Sequence, residues 1–149
     1  MYPLGKQFEV DTQQGKCNEK CVFCGSNYRI SVITERCVRL EFSPNSQFID
    51  NPTQLVRKRN FGMVDFAVQE DNNFLQITTK YFVLSYAKGQ PFSSGAIASA
   101  KNLKITLKSR EADRQKDWYY GHPEPRNMVE TMLLMIFLLI RVCREVCFH

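Results

Sequence analysis

The sequence predicts an all-β fold, an antiparallel β-sandwich of short strands. Three observations carry this. Apolar and polar residues alternate with a period of two in several separate stretches, the pattern of a half-buried sheet. Clusters of Gly, Pro, Asn and Asp separate those stretches at roughly ten-residue spacing. Nowhere do strand-like and helix-like segments alternate as they would in a parallel α/β protein.

Residues 1–27 are polar and turn-rich, and read as a covering arm tied down by Tyr2, Leu4, Phe8 and Val10. Tyr28, Ile30 and Val32 then alternate with Arg29 and Ser31. After a Thr34-Glu35-Arg36 turn, Val38, Leu40 and Phe42 alternate with Cys37, Arg39 and Glu41. This is a hairpin with one dry and one wet face. Ser43-Pro44-Asn45-Ser46 ends it, because proline has no N–H for a ladder.

Gln54–Arg59 reads as a further strand, with Arg57-Lys58-Arg59 as a solvated edge that resists pairing with other chains. Val64, Phe66 and Val68 predict the next strand, and Glu70-Asp71-Asn72-Asn73 the turn after it. Leu75 and Ile77, then Phe82, Leu84 and Tyr86, mark two more strands. Residues 92–101 are small and polar and suit a loop. Leu103, Ile105 and Leu107 alternate with Lys104, Thr106 and Lys108, the cleanest alternation in the chain. The predicted buried face takes Ile30, Val32, Val38, Leu40, Phe66, Leu75, Ile77, Phe82, Leu84, Ile105 and Leu107. Residues 111–117 read as a charged loop or a turn of helix.

At 149 residues the chain suits one domain with a real core. Its net charge of +5 is scattered, without the basic stripe and interleaved aromatics of a nucleic-acid binder. Met1-Tyr2-Pro3-Leu4-Gly5 does not read as a signal peptide, so the expectation is cytoplasmic, with the six cysteines as reduced thiols.

Cys17, Cys21 and Cys24 form C-x3-C-x2-C, the spacing that holds an iron–sulfur cluster in radical S-adenosylmethionine enzymes. Those enzymes surround the cluster with a βα barrel, and no such pattern follows. A zinc site would need a fourth ligand, and His122 is the only histidine outside the C-terminus. The reading is therefore of incidental thiols, with no cofactor and no metal, and a triple serine variant is expected to fold as the parent does. Trp118-Tyr119-Tyr120-Gly121 is an aromatic stretch in which Trp118 and Tyr120 are candidate sugar-stacking rings. The bland alternative is a core or interface anchor.

Several pieces in order resemble the N-terminal domain of glycoside hydrolase family 31, the α-glucosidases and α-xylosidases. They are Tyr28-Arg29-Ile30, Val38-Arg39-Leu40-Glu41-Phe42-Ser43-Pro44, Phe48-Ile49-Asp50-Asn51-Pro52-Thr53-Gln54, Arg59-Asn60-Phe61 and Trp118-Tyr119-Tyr120-Gly121. The match spans roughly residues 1–127. It implies a galactose-mutarotase-like sandwich that supports a catalytic (β/α)8 barrel and helps shape its carbohydrate pocket. It also implies that the catalytic aspartates lie on that barrel, outside this chain.

The residues alone agree with the second point. Retaining glycosidases place two carboxyls about 5–5.5 Å apart. Asp50, Asp65, Glu70, Asp71, Glu111, Asp113, Asp117 and Glu124 lie mostly in turns or on wet strand faces, and nothing pairs them. No catalytic residue is assigned, and the chain alone is expected to be inactive. The competing functional readings are a free-standing carbohydrate-binding module using Trp118 and Tyr120, and a metal or cluster protein using the three cysteines.

The tail, residues 128–149, does not continue this domain. Its apolar run Met132–Ile140 is shorter than the about 20 residues of a membrane span and has no polar face. Neither a membrane span nor a membrane partner is expected, and a buried helix or short anchor is the alternative. The resemblance stops at Pro125-Arg126-Asn127. Codons can be chosen for 128–149 so that the frame starting at the third base of the Met128 codon reads G-G-N-D-A-S-H-D-I-S-P-D-K-G-V-P-R-G-L-F-S. That string resembles what family 31 carries after an E-P-R-N segment. The expectation is a frameshifted, truncated copy whose tail is poorly ordered or adheres opportunistically to the domain.

Overall fold

The computed structural model describes residues 11–52, 56–92, 102–108 and 117–119, and the backbone of 143–147. Within these residues the chain is mostly strand, in two antiparallel sheets. The first has the order β1 (Val22–Cys24), β2 (Tyr28–Thr34), β3 (Cys37–Phe42), β9 (Cys143–Cys147). The second is a meander of β4 (Ala67–Glu70), β5 (Phe74–Thr78), β6 (Phe82–Ala87), β7 (Leu103–Leu107) and β8 (Asp117–Tyr119). Two 3₁₀ turns, Thr12–Gly15 and Glu19–Cys21, precede β1; the side chains of Asp11 and Asn18 cap them by accepting from the backbone N–H of Gln13 and Lys20.

The period-two pattern sets the core. Ile30, Val32, Val38 and Leu40 from the first sheet join Leu75, Ile77, Phe82, Leu84, Tyr86, Leu103 and Ile105 from the second in one buried apolar cluster. Phe66 and Leu107 pack against it half-buried. Thr79 bridges the sheets: its hydroxyl donates to the Glu35 carbonyl at 2.8 Å and accepts from the backbone N–H of Tyr81 and Phe82.

Several expectations are corrected. The strand expected over Val64–Val68 runs instead over Ala67–Glu70, all four residues exposed, with Val64 buried ahead of it. The arm contributes β1, which pairs with β2 through Phe23↔Ile30. Asp117 and Trp118, expected at a loop boundary and in an aromatic stretch, lie in β8; Lys104 of β7 bonds Asp117 at 2.8 Å. Residues 56–60 form no strand. Arg59 is not solvated but 2 % exposed, and its guanidinium donates to the carbonyls of Gly15 and Asn51, both at 3.1 Å. A buried guanidinium is held here by backbone carbonyls of two other segments, a pattern that no local periodicity reveals.

The expected wet face of the hairpin is covered. Ser31, Arg39 and Glu41 are each less than 5 % exposed. Cys37 is disulfide-bonded, where a reduced thiol was expected. The register of β3 with β9 places Cys147 directly opposite Cys37, a backbone spacing within disulfide range. Cys17, Cys21 and Cys24 are free. The tail thus supplies the strand outside β3, as an open sheet edge will accept an extended segment. Its apolar run, 132–140, lies outside the described residues. Among the described residues no helix is long and apolar enough to cross a membrane.

Candidate functional site

The covered face of β2 and β3 carries the densest polar chemistry in the described chain. Arg29 and Glu41 are direct cross-strand partners, so their side chains leave the sheet on the same side. Arg29 donates through Nε to Glu41 Oε2 at 2.5 Å and through Nη2 to Oε1 at 2.9 Å. The same guanidinium donates to both oxygens of Asp50, at 2.7 and 3.2 Å. Arg39 reaches Glu41 Oε1 at 2.9 Å and Asp50 Oδ1 at 3.4 Å, and donates to the Ile49 carbonyl at 2.7 Å. Phe48 lies under the Arg29 guanidinium, 5.0 Å from ring centre. Burial opposes the charge on Arg29, yet the hydrogen bonds and charges of Glu41 and Asp50 outweigh it and raise its pKa further.

These bonds fasten residues 48–50 across the sheet. The fastening continues at Gly15. A side chain there would stand 1.7 Å from the Asp50 carbonyl oxygen, so only glycine permits this approach. Arg59 then ties Gly15 to Asn51. Arm, strap and sheet form one clamp.

Beside the clamp lies a cavity of about 390 Å³, bordered by Cys17, Cys24, Arg29, Ser31, Arg39 and Asp50. Both of its arginines are engaged by carboxylates, and Lys16 and Glu19 complete its charged border. Burial, with Cys21 nearby, pushes the Cys17 thiol up to about 11; burial also raises Cys24. Neutral thiols are poor nucleophiles and poor metal ligands.

The three cysteines do not converge. Cys17 is half-buried, with its thiol donating to the Val32 carbonyl at 3.5 Å. Cys21 is fully buried in the core, and Cys24 is exposed on β1. Among the described residues no three His, Cys, Asp or Glu side chains are placed to hold a metal ion. The burial of Cys21 in the core cluster gives a serine there a cost that the other two positions lack.

Trp118 sits on β8 opposite Ile105 and packs half-buried against the core. Tyr120 and His122 lie outside the described residues, as do Glu111, Asp113 and Glu124. The described carboxylates have structural partners or face solvent. Asp50 is in the clamp, Asp71 accepts from the Asn73 and Phe74 N–H groups in a turn, and Asp117 is bonded by Thr106 and Lys104. Asp65 is exposed, and Glu70 pairs with Lys88. No family model matches the chain, and no curated protein matches it.

Proposed function

We propose that residues 1–127 are the N-terminal, non-catalytic β-sandwich of a retaining α-glycosidase of glycoside hydrolase family 31, similar to a galactose-mutarotase-like domain. On this reading residues 128–149 translate a shifted frame. The observation that carries it is the ordered run of motifs from Tyr28 to Gly121, followed at Asn127 by an apolar tail whose shifted frame can restore a polar, glycine-rich continuation.

The geometry supports the domain's role as scaffold. The hairpin motif residues Arg29, Arg39, Glu41 and Asp50 build a clamp that fixes the strap, and offer no free acid and base pair. Ile49, Phe61 and Met63 are 67, 56 and 63 % exposed, which suits a domain made to be covered by another. The partner is then the catalytic barrel, and carbohydrate is a ligand of the intact enzyme. A free-standing module with Trp118 as its platform draws less support, because that indole leans on the core.

Expressed alone, the chain is expected to leave aryl α-glucosides and α-xylosides intact. Turnover abolished by substituting Asp50 or Asp65 would overturn its non-catalytic character. The codons beyond Asn127 test the domain assignment itself.

A further inference from the structure

Two turns tie the sheets together at one corner. Thr79, between β5 and β6, donates its hydroxyl to the carbonyl of Glu35, between β2 and β3, at 2.8 Å. Beside this contact Arg36 lies over Tyr81, its guanidinium carbon 3.9 Å from the ring centre. Lys80 approaches the same ring, with its ammonium 5.4 Å from the centre. Lys108, just past β7, is held to the same turn at both ends. Its backbone N–H donates to the Tyr81 carbonyl at 2.7 Å, and its Nζ to the Thr79 carbonyl at 2.6 Å. Cations from three segments therefore converge on one tyrosine.

Other cations of the two sheets are neutralised. Arg29, Arg39, Lys88 and Lys104 each lie against a carboxylate. Arg36, Lys80 and Lys108 are exposed, and among the described residues none of them has a carboxylate within ion-pair distance. Glu35 neighbours Arg36 in the chain, but it holds this corner through its backbone carbonyl. The uncompensated charge acts on Tyr81: a hydrogen bond from Arg36, then the charges of Arg36 and Lys80, hold its phenol below the usual range.

Donors remain at this corner. Stacking uses the face of the Arg36 guanidinium and leaves its edge, where the N–H groups lie. Arg36 and Lys80 each carry more N–H donors than one phenol oxygen takes up, and the Tyr81 hydroxyl that accepts from them keeps its own proton to donate. The guanidinium edge matches two oxygens of a tetrahedral anion. A compact cluster, in place of a basic stripe, suits a single anionic group better than a polymer backbone.

We propose that the corner formed by Arg36, Lys80 and Tyr81, with Lys108 at its border, binds one phosphate group, either as inorganic phosphate or as the monoester of a small molecule. This inference does not use the glycosidase-domain reading. The charges are exposed, so Kd is on the order of 1 mM and rises with added salt.

The test is titration of the full chain with sodium phosphate and, separately, with phenyl phosphate, at an ionic strength held constant with sodium chloride. Backbone amide shifts are followed by NMR. Residues 34–36 and 79–81 are expected to shift and to saturate. Arg36→Gln and Lys80→Gln are each expected to weaken binding about 5- to 10-fold, and Tyr81→Phe about 2- to 5-fold. Lys88→Gln, at the opposite end of β6, is expected to leave it unchanged. The same spectra show whether each variant is folded, so a collapsed variant is not scored as a lost contact. Tighter binding of phenyl phosphate assigns the corner to a monoester, and equal or weaker binding to free phosphate. Shifts that do not saturate with either anion overturn the assignment. So does binding that survives both Arg36→Gln and Lys80→Gln, or an equal loss in Lys88→Gln, which would mark a general attraction of anions to a basic chain.

Discussion

Arg29 grips both carboxylate oxygens of Glu41, its directly opposite neighbour on β3, with 13 % and 4 % of the two side chains exposed. A bidentate pair this buried owes its worth to completeness. Removing either partner leaves the other's charge without its closest counter-charge in a largely buried site.

Glu41→Ala is therefore expected to destabilise the chain by about 3–5 kcal/mol, because it removes the carboxylate that Arg29 and Arg39 share most closely. Replacing both members, Arg29→Met with Glu41→Leu, is expected to cost less than Glu41→Ala alone. Urea unfolding of the two variants checks this. A double variant less stable than the single one would show that the pair itself, and not the stranded charge, sets the energy.

Gly15→Ala is expected to displace the strap, since its Cβ would meet backbone and not a mobile side chain. Gly89→Ala meets nothing within 4 Å and suffers only its left-handed φ, at about 1–2 kcal/mol. Thermal unfolding should rank Gly15→Ala below Gly89→Ala. The reverse order would contradict the close approach of Gly15 to Asp50.

Single serine substitutions should separate the cysteines. Cys24→Ser, on an exposed thiol, is expected to be neutral. Cys21→Ser, at 0 % exposure, is expected to cost about 1–3 kcal/mol. Equal melting temperatures for the two variants would refute the core placement of Cys21.

The hairpin and the meander were legible because each strand buries one face, and a period of two records that directly. Ile30, Val38, Leu84 and Ile105 all lie in the core as their alternation predicts. The covered side of β2 and β3 was not legible. Arg29, Ser31, Arg39 and Glu41 are polar and look solvated in sequence, while the groups that engage the two arginines come from Phe48, Ile49 and Asp50, beyond the hairpin. A positive signal did exist in the cross-strand pairing of Arg29 with Glu41, but pairing alone does not distinguish a buried bridge from a surface one.

Alkaline pH should loosen the fold. Burial, with Cys21 nearby, pushes Cys17 up to about 11 from the ordinary 9.0, and burial with Tyr28 beside it pushes Tyr86 up to about 12. A folded pKa above the unfolded one means that this stability is complete below the unfolded value and is lost as pH rises through the folded value. For Cys17 the loss falls between about pH 9 and 11. Melting temperature is expected to drop across that window, and Cys17→Ser to reduce the drop. An unchanged pH profile in Cys17→Ser would contradict the burial assigned to this thiol.

On the proposed reading, residues 1–127 are a glycosidase domain followed by a shifted frame. Determining the nucleotide sequence across codons 120–149 and onward tests it most directly. The frame starting at the third base of the Met128 codon is expected to read G-G-N-D-A-S-H-D-I-S-P-D-K-G-V-P-R-G-L-F-S and to stay open into a barrel-coding region. Codons that give another string there, or a stop soon after it, would rule out the shifted frame and make 128–149 a genuine part of this protein.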